Sequence, residues 1–215
     1  RVTQPEASIL KHSQLMLEAH HDPSPGAMHQ IALAPCSPFS VSKTLMRETA
    51  ALAKDFGAGL HTHLSETHDE NAFCEDLYGQ RPLDYLEEVN WLRPNTWLAH
   101  GIHFEPTEIQ RLGRAGVGIT HCPSSNMILG SGICKTLELE AAGVSIGIGV
   151  DGSASNDSSN LILEARQALL LQRLKYGSER VSIHHCLDWA TRKGALAINR
   201  PELGSLEPGK VADLA

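Results

Sequence analysis

Four side chains have the types and positions of a metal-assisted hydrolytic site: His63, Glu66, His100 and Asp151. A neutral imidazole, as at His63 or His100, is a good zinc ligand, and a nearby unligated carboxylate such as Glu66 can shuttle protons. Asp151 directly follows the apolar run 144–150. A carboxylate there is costly to bury unless a cation or hydrogen-bond donors meet it. Taken singly, each residue has an ordinary reading. His63 and His100 read equally as buried, hydrogen-bonded histidines, Glu66 as an exposed acid, and Asp151 as a turn residue capping the next helix. The capping reading suits Asp157 or Ser158 better, because they lie nearer that helix. What links the four is position: each falls at or just past the end of a strand-like run. Two histidines, a glutamate and an aspartate converging on one mouth would make an open metal site with an acid–base partner.

The elements that must position them can be read from periodicity. Short apolar runs recur at 31–35, 59–64, 96–102, 116–121 and 144–150, each followed by a polar or Gly/Pro break. Amphipathic helical patterns fall between them, at 41–56, 82–91, 106–115, 136–142 and about 161–176. Gly57, Gly116, Gly143 and Gly177 stand where a helix end wants a left-handed residue. Strand alternating with helix implies parallel βαβ units. Polar groups at the carboxyl ends of several strands favour a (β/α)8 barrel, and no Gly-rich phosphate loop follows the first strand to favour a dinucleotide fold. Five units cannot close an eight-stranded barrel. The chain is therefore expected to supply about strands 4 to 8, as residues 1–200, with three strands upstream. Arg1 opens without an initiator Met, and a strand-like start at 210–214 stops abruptly, so both ends read as cut.

Bulk properties narrow the partners. The net charge is −7 and the basic residues form no run, which argues against nucleic acid or an anionic membrane surface. No apolar stretch is long enough to cross a bilayer. Five cysteines, odd in number and without a C-x-x-C pair, fit free thiols in a reducing cytoplasm better than a disulfide framework. Twelve histidines are a high load for 215 residues. Of these, His12, His20, His21, His29, His184 and His185 read as solvated.

The chain resembles the amidohydrolase superfamily, in its purine and triazine aminohydrolase branch. The resemblance rests on His61-Thr62-His63-Leu64-Ser65-Glu66-Thr67, Trp97-Leu98-Ala99-His100-Gly101, His121-Cys122-Pro123-Ser124-Ser125-Asn126-Met127, residues 149–157, and Gly204-Ser205-Leu206-Glu207-Pro208-Gly209-Lys210-Val211-Ala212-Asp213. Within that branch it is most similar to 8-oxoguanine deaminases. The motifs are Leu33-Ala34-Pro35-Cys36-Ser37-Pro38-Phe39-Ser40-Val41 and Glu164-Ala165-Arg166-Gln167-Ala168-Leu169-Leu170-Leu171-Gln172-Arg173.

The resemblance implies one zinc per chain and hydrolytic deamination of a small purine. His63 and Asp151 would be metal ligands, and Asp151 would also take a proton from the attacking water. His100 would hydrogen-bond that water, or ligate a second metal in two-metal relatives. Glu66 would carry a proton to the ring nitrogen beside the attacked carbon. Cys36, His121 and Asn126 are the implied substrate contacts, Cys36 towards the purine's five-membered ring. Residues 201–215 would be the return to a small β-sandwich, and a homo-oligomer is implied by family analogy alone. The family's first strand should add an H-x-H pair, expected upstream of Arg1. His61-x-His63 is not read as that pair, because His100 follows too closely for the intervening βα units. Ile128 and Cys134 depart from the family pattern, where a basic residue and a Pro are common. The rival readings are a guanine, triazine or adenosine-type aminohydrolase, and a scaffold segment that is inactive alone.

Overall fold

A computed structural model describes residues 4–213. Its centre is one sheet of five parallel strands in sequential order: β1 (Ala32–Leu33), β2 (Gly59–Leu64), β3 (Thr96–His100), β4 (Gly118–His121) and β5 (Ile146–Ile148). All five expected strands are present, trimmed at their ends by loss of ladder partners. The register pairs His63 with Ala99 and Thr120 with both Ala99 and Gly147. Successive side chains alternate between faces. His61, His63, Trp97, Thr120 and Gly147 therefore share one face.

Ten helices follow from the described residues. α1 (Glu6–His20) leads, then α2 (Lys43–Phe56) with the Ser42 hydroxyl accepting from the Leu45 amide and Gly57 closing it at φ 67°. That is the left-handed stop expected from a glycine at this position. α3 (His68–Tyr78) and α4 (Pro82–Glu88) fill the stretch between β2 and β3; of these only α4 was anticipated. α5 (Pro106–Ala115), α6 (Pro123–Ile128) and α7 (Thr136–Ala141) follow, then α8 (Leu161–Tyr176), α9 (Ile183–Ala190) and α10 (Arg192–Ala197). Three of these helices take proline in the first turn, where its missing N–H costs no hydrogen bond.

The core forms where the helices meet the sheet. Leu60, Leu64, Leu98, Ile119 and Ile146 pack with Leu86, Trp91, Leu112 and Trp189, all fully enclosed. The buried Glu108 carboxylate is met by the Arg81 guanidinium through two bonds of 2.9 Å, tying α4 to α5. His21, read as solvated from the sequence, is half-buried, because its Nδ1 accepts the Ile31 amide at 2.9 Å. Residues 201–213 form turns with no strand, and Leu214 and Ala215 of the expected return to a sandwich lie outside the described residues. Among the described residues no helix is long and apolar enough to cross a membrane.

The face carrying His61 and His63 borders a cavity of 860 Å³. At the amino ends of β4 and β5 it is floored by α10, whose backbone runs against two strand glycines. A Cβ on Gly118 would stand 2.2 Å from the Ala197 carbonyl oxygen, and one on Gly147 would stand 3.3 Å from the Gly194 Cα. Backbone cannot swing aside as a flexible side chain can. Gly118→Ala is thus expected to destabilise the fold by about 1–3 kcal/mol. That corresponds to a melting temperature lower by roughly 2–4 °C per kcal/mol; an unchanged melting curve would show that α10 yields freely.

Candidate metal centre

The site lies at the opposite, carboxyl ends of the strands, where three elements bring one donor each to a common point. The outermost donor nitrogens or oxygens of His63, His100 and Asp151 all lie within 4.8 Å of one another. His63 Nε2 stands 3.7 Å from Asp151 Oδ1, and His100 Nε2 stands 3.7 Å from Asp151 Oδ2. Two ligands on one tetrahedral zinc, each at 2.0–2.2 Å, sit roughly 3.4 Å apart. The set matches that spacing and consists of borderline nitrogen and hard oxygen donors. It fits a zinc ion.

Each donor is aimed by a second contact. The His63 Nδ1–H donates to the Cys36 carbonyl at 2.6 Å, which turns Nε2 towards the site. His100 Nδ1–H donates to Asn126 Oδ1 at 2.8 Å and likewise leaves Nε2 facing inward. Such outer hydrogen bonds select the ring tautomer that a metal requires. Asp151 Oδ2 accepts from the Ser125 hydroxyl at 2.5 Å, and its Oδ1 accepts from the Gly152 amide at 2.7 Å. Glu66 completes the group, with Oε2 3.6 Å from His100 Nε2 and its side chain partly open to solvent.

The backbone is bent to achieve this. Ala99 faces the cavity, so simple alternation would send His100 to the helical side. Instead His100 takes φ 73°, Asp151 takes φ 64° and Ser65 takes φ 53°. Non-glycine residues rarely occupy this left-handed region, at a cost of order 1–3 kcal/mol each, and such outliers gather at functional sites.

Charge follows geometry. Asp151 sits well below the usual carboxylate range, chiefly because of its contact with His63, with Ser125 and the Gly152 amide helping against burial. His63 is raised in turn, first by Asp151, while burial opposes it. Burial lowers His61, whose ring stacks on Trp97 and bonds the Trp97 carbonyl at 3.1 Å. His61 therefore lies beside the donor cluster without joining it.

The implied substrate contacts occupy three different settings. Cys36 is exposed next to His63. Asn126 is buried beneath His100. His121 is fully enclosed, its Nε2 accepting from the Gln172 amide at 3.2 Å, and burial pushes it down to about 3. Three supports are not among the residues expected from the sequence: Ser125, the Cys36 carbonyl, and Glu70, whose carboxylate accepts the Glu66 amide. The first lies inside the His121–Met127 motif, and the last stands at the capping-box position after Thr67, so both had a signal. A backbone carbonyl has none.

Ser125→Ala removes one hydrogen-bond donor to Asp151 while leaving the three metal-facing side chains in place. Divalent-metal affinity is expected to fall roughly 10- to 100-fold, read by competition with a chromogenic chelator. Unchanged affinity would mean that the Gly152 amide alone orients the carboxylate.

Residues 2–215 match the amidohydrolase family. The chain is 58% identical over its 215 residues to an 8-oxoguanine deaminase from Pseudomonas aeruginosa, covering 48% of that protein. It is 39% identical over 209 residues to a hydroxydechloroatrazine ethylaminohydrolase from a Pseudomonas species, covering 96% of this chain and 43% of the relative. Among solved structures it superposes with a TM-score of 0.92 on an atrazine chlorohydrolase from Arthrobacter aurescens in complex with zinc. That pair is 34% identical over 97% of this chain and 47% of the other. The chain thus spans about half the length of the relatives it matches.

Proposed function

Because the chain belongs to the amidohydrolase family, we propose that the complete protein is a zinc-dependent hydrolase converting 8-oxoguanine and water to urate and ammonia. The observation that carries this is the 58% identity to an 8-oxoguanine deaminase in a chain whose three donors converge on one point beside Glu66. The same reading makes the five parallel strands the last five of a (β/α)8 barrel that leads into a small β-sandwich. Their sequential order and the open cavity face support it.

His63 and Asp151 would hold the zinc, with an upstream H-x-H pair and, where a second metal binds, His100. A bound zinc supplies Lewis acidity, which brings the pKa of water from 15.7 towards about 7. Asp151 accepts the proton that the attacking water loses. Glu66 delivers a proton to the ring nitrogen beside the amino-bearing carbon. Asp151 passes its proton to the amino group so that it departs as ammonia, and Glu66 recovers the hydroxyl proton as the carbonyl forms. His100, fixed by Asn126, keeps Nε2 between the two carboxylates and holds the water on line. Cys36, exposed at the mouth, is the contact for the purine's five-membered ring.

The test is ammonia release by the full-length protein from 8-oxoguanine, guanine, a triazine and adenosine, before and after chelation. We expect the highest kcat/KM for 8-oxoguanine and loss of activity with chelator. Preference for guanine or a triazine would overturn the substrate, and chelator-resistant turnover would overturn the chemistry.

A further inference from the structure

Glu70 is an expensive residue for its place. It is the third residue of α3, and it is 2% exposed. An acid at this position ordinarily stays at the surface and folds back on the residue capping its helix. Here Thr67 caps α3 through its own hydroxyl, which accepts the Glu70 amide at 3.3 Å. The Glu70 carboxylate reaches further, to the loop that leaves β2. Its Oε2 accepts the Glu66 amide at 2.8 Å, and the neighbouring Ser65 amide helps to offset its charge. No cation is among its hydrogen-bond partners, and Oε1 has no partner of its own. Burial accordingly pushes the carboxyl up to about 7.

A buried carboxylate whose one hydrogen bond comes from a backbone amide is costly, and both the Glu66 amide and its Ser65 neighbour belong to special residues. Ser65 is one of the left-handed outliers, and its carbonyl receives the amides of Ile102 and His103 from the end of β3. Glu66 is the proton carrier of the proposed reaction. Among the described residues no hydrogen bond reaches the Glu66 carboxylate, and its ion-pair contact is with His100 Nε2 at 3.6 Å. The Cα of Glu66 is therefore placed through its main chain, and Glu70 holds that main chain.

We propose that Glu70 is a positioning residue that anchors the Ser65–Glu66 backbone so that the Glu66 carboxylate stays within reach of His100 and the substrate ring. This rests on the reading of Glu66 as proton carrier.

The test is a mutant cycle on the full-length zinc enzyme with 8-oxoguanine: Glu70→Gln, Glu66→Gln and the double variant, each assayed for kcat, KM, zinc content and melting temperature. Glu70→Gln keeps an acceptor oxygen for the Glu66 amide but removes the negative charge that strengthens that bond. We expect kcat to fall roughly 10- to 100-fold, with KM within about threefold and zinc retained. In the Glu66→Gln background the same change should cost nothing further, because the group it positions is already gone. Losses that multiply in the double variant would overturn the proposal in favour of a general structural role, as would a normal kcat in Glu70→Gln. If Glu70→Gln does not fold, Glu70→Asp enters the same cycle, its shorter reach loosening the anchor without removing the charge. Near-normal turnover by Glu66→Gln alone would instead overturn the proton-carrier reading itself.

Discussion

Asp151→Asn in the complete protein is expected to lower kcat by about a thousandfold or more and to leave the enzyme depleted of zinc. The change is nearly isosteric, and the new side chain can still accept from Ser125. What it loses is charge. The carboxylate faces both His63 and His100 across 3.7 Å, and the contact with His63 is what holds Asp151 low and His63 high. A neutral amide cannot offset the charge of a dication. It also cannot accept the proton of the attacking water, a role worth some 10²–10⁴ in rate for general bases. Metal content and steady-state kinetics on the same preparation read both losses. Full zinc occupancy with kcat within a few-fold of the parent would remove Asp151 from the site.

Glu66→Gln is expected to separate the two functions. Its carboxylate stands beside His100 but outside the cluster of three donors, so zinc should remain at the parental level. Without an ionisable proton, kcat should fall by about 10²–10⁴, or roughly 3–5 kcal/mol at 1.36 kcal/mol per decade. KM should change little, because the amide retains the size and most of the hydrogen bonding of the acid. Lost zinc would recast Glu66 as a ligand, and retained turnover would leave the reaction without its proton carrier.

The two variants also show how unevenly the molecule could be read from its residues. The sheet was legible because buried parallel strands are short apolar runs with a polar residue at or near each exit, as at His63, His100 and Asp151. α1 was not, since Leu17 is its only buried residue and no apolar stripe marks the rest. α10 was missed for a different reason: it is six residues long, contains Gly194, and packs through backbone against Gly118 and Gly147. At the site, residue types announced the donors. Their aim depended on what types do not encode: the carbonyl of Cys36 and the positive φ of His100. Alternation along β3 would have pointed His100 away from the cavity. Glu70 stands where first-turn acids are ordinarily exposed, so only its burial marks it out.

The left-handed turns at Ser65, His100 and Asp151 bear on how such a protein can be made to tolerate heat. Each holds back free energy of order 1–3 kcal/mol that a relaxed loop would return to stability. Two of the three are the donors themselves, so adaptation cannot recover that reserve there without surrendering the reaction. Ser65 is the exception, because glycine accepts its φ of 53° without penalty and the Ser65 hydroxyl has no partner. Lineages growing at high temperature should therefore accumulate their stabilising changes in the helical shell and at Ser65, and leave His100 and Asp151 as strained as they are here.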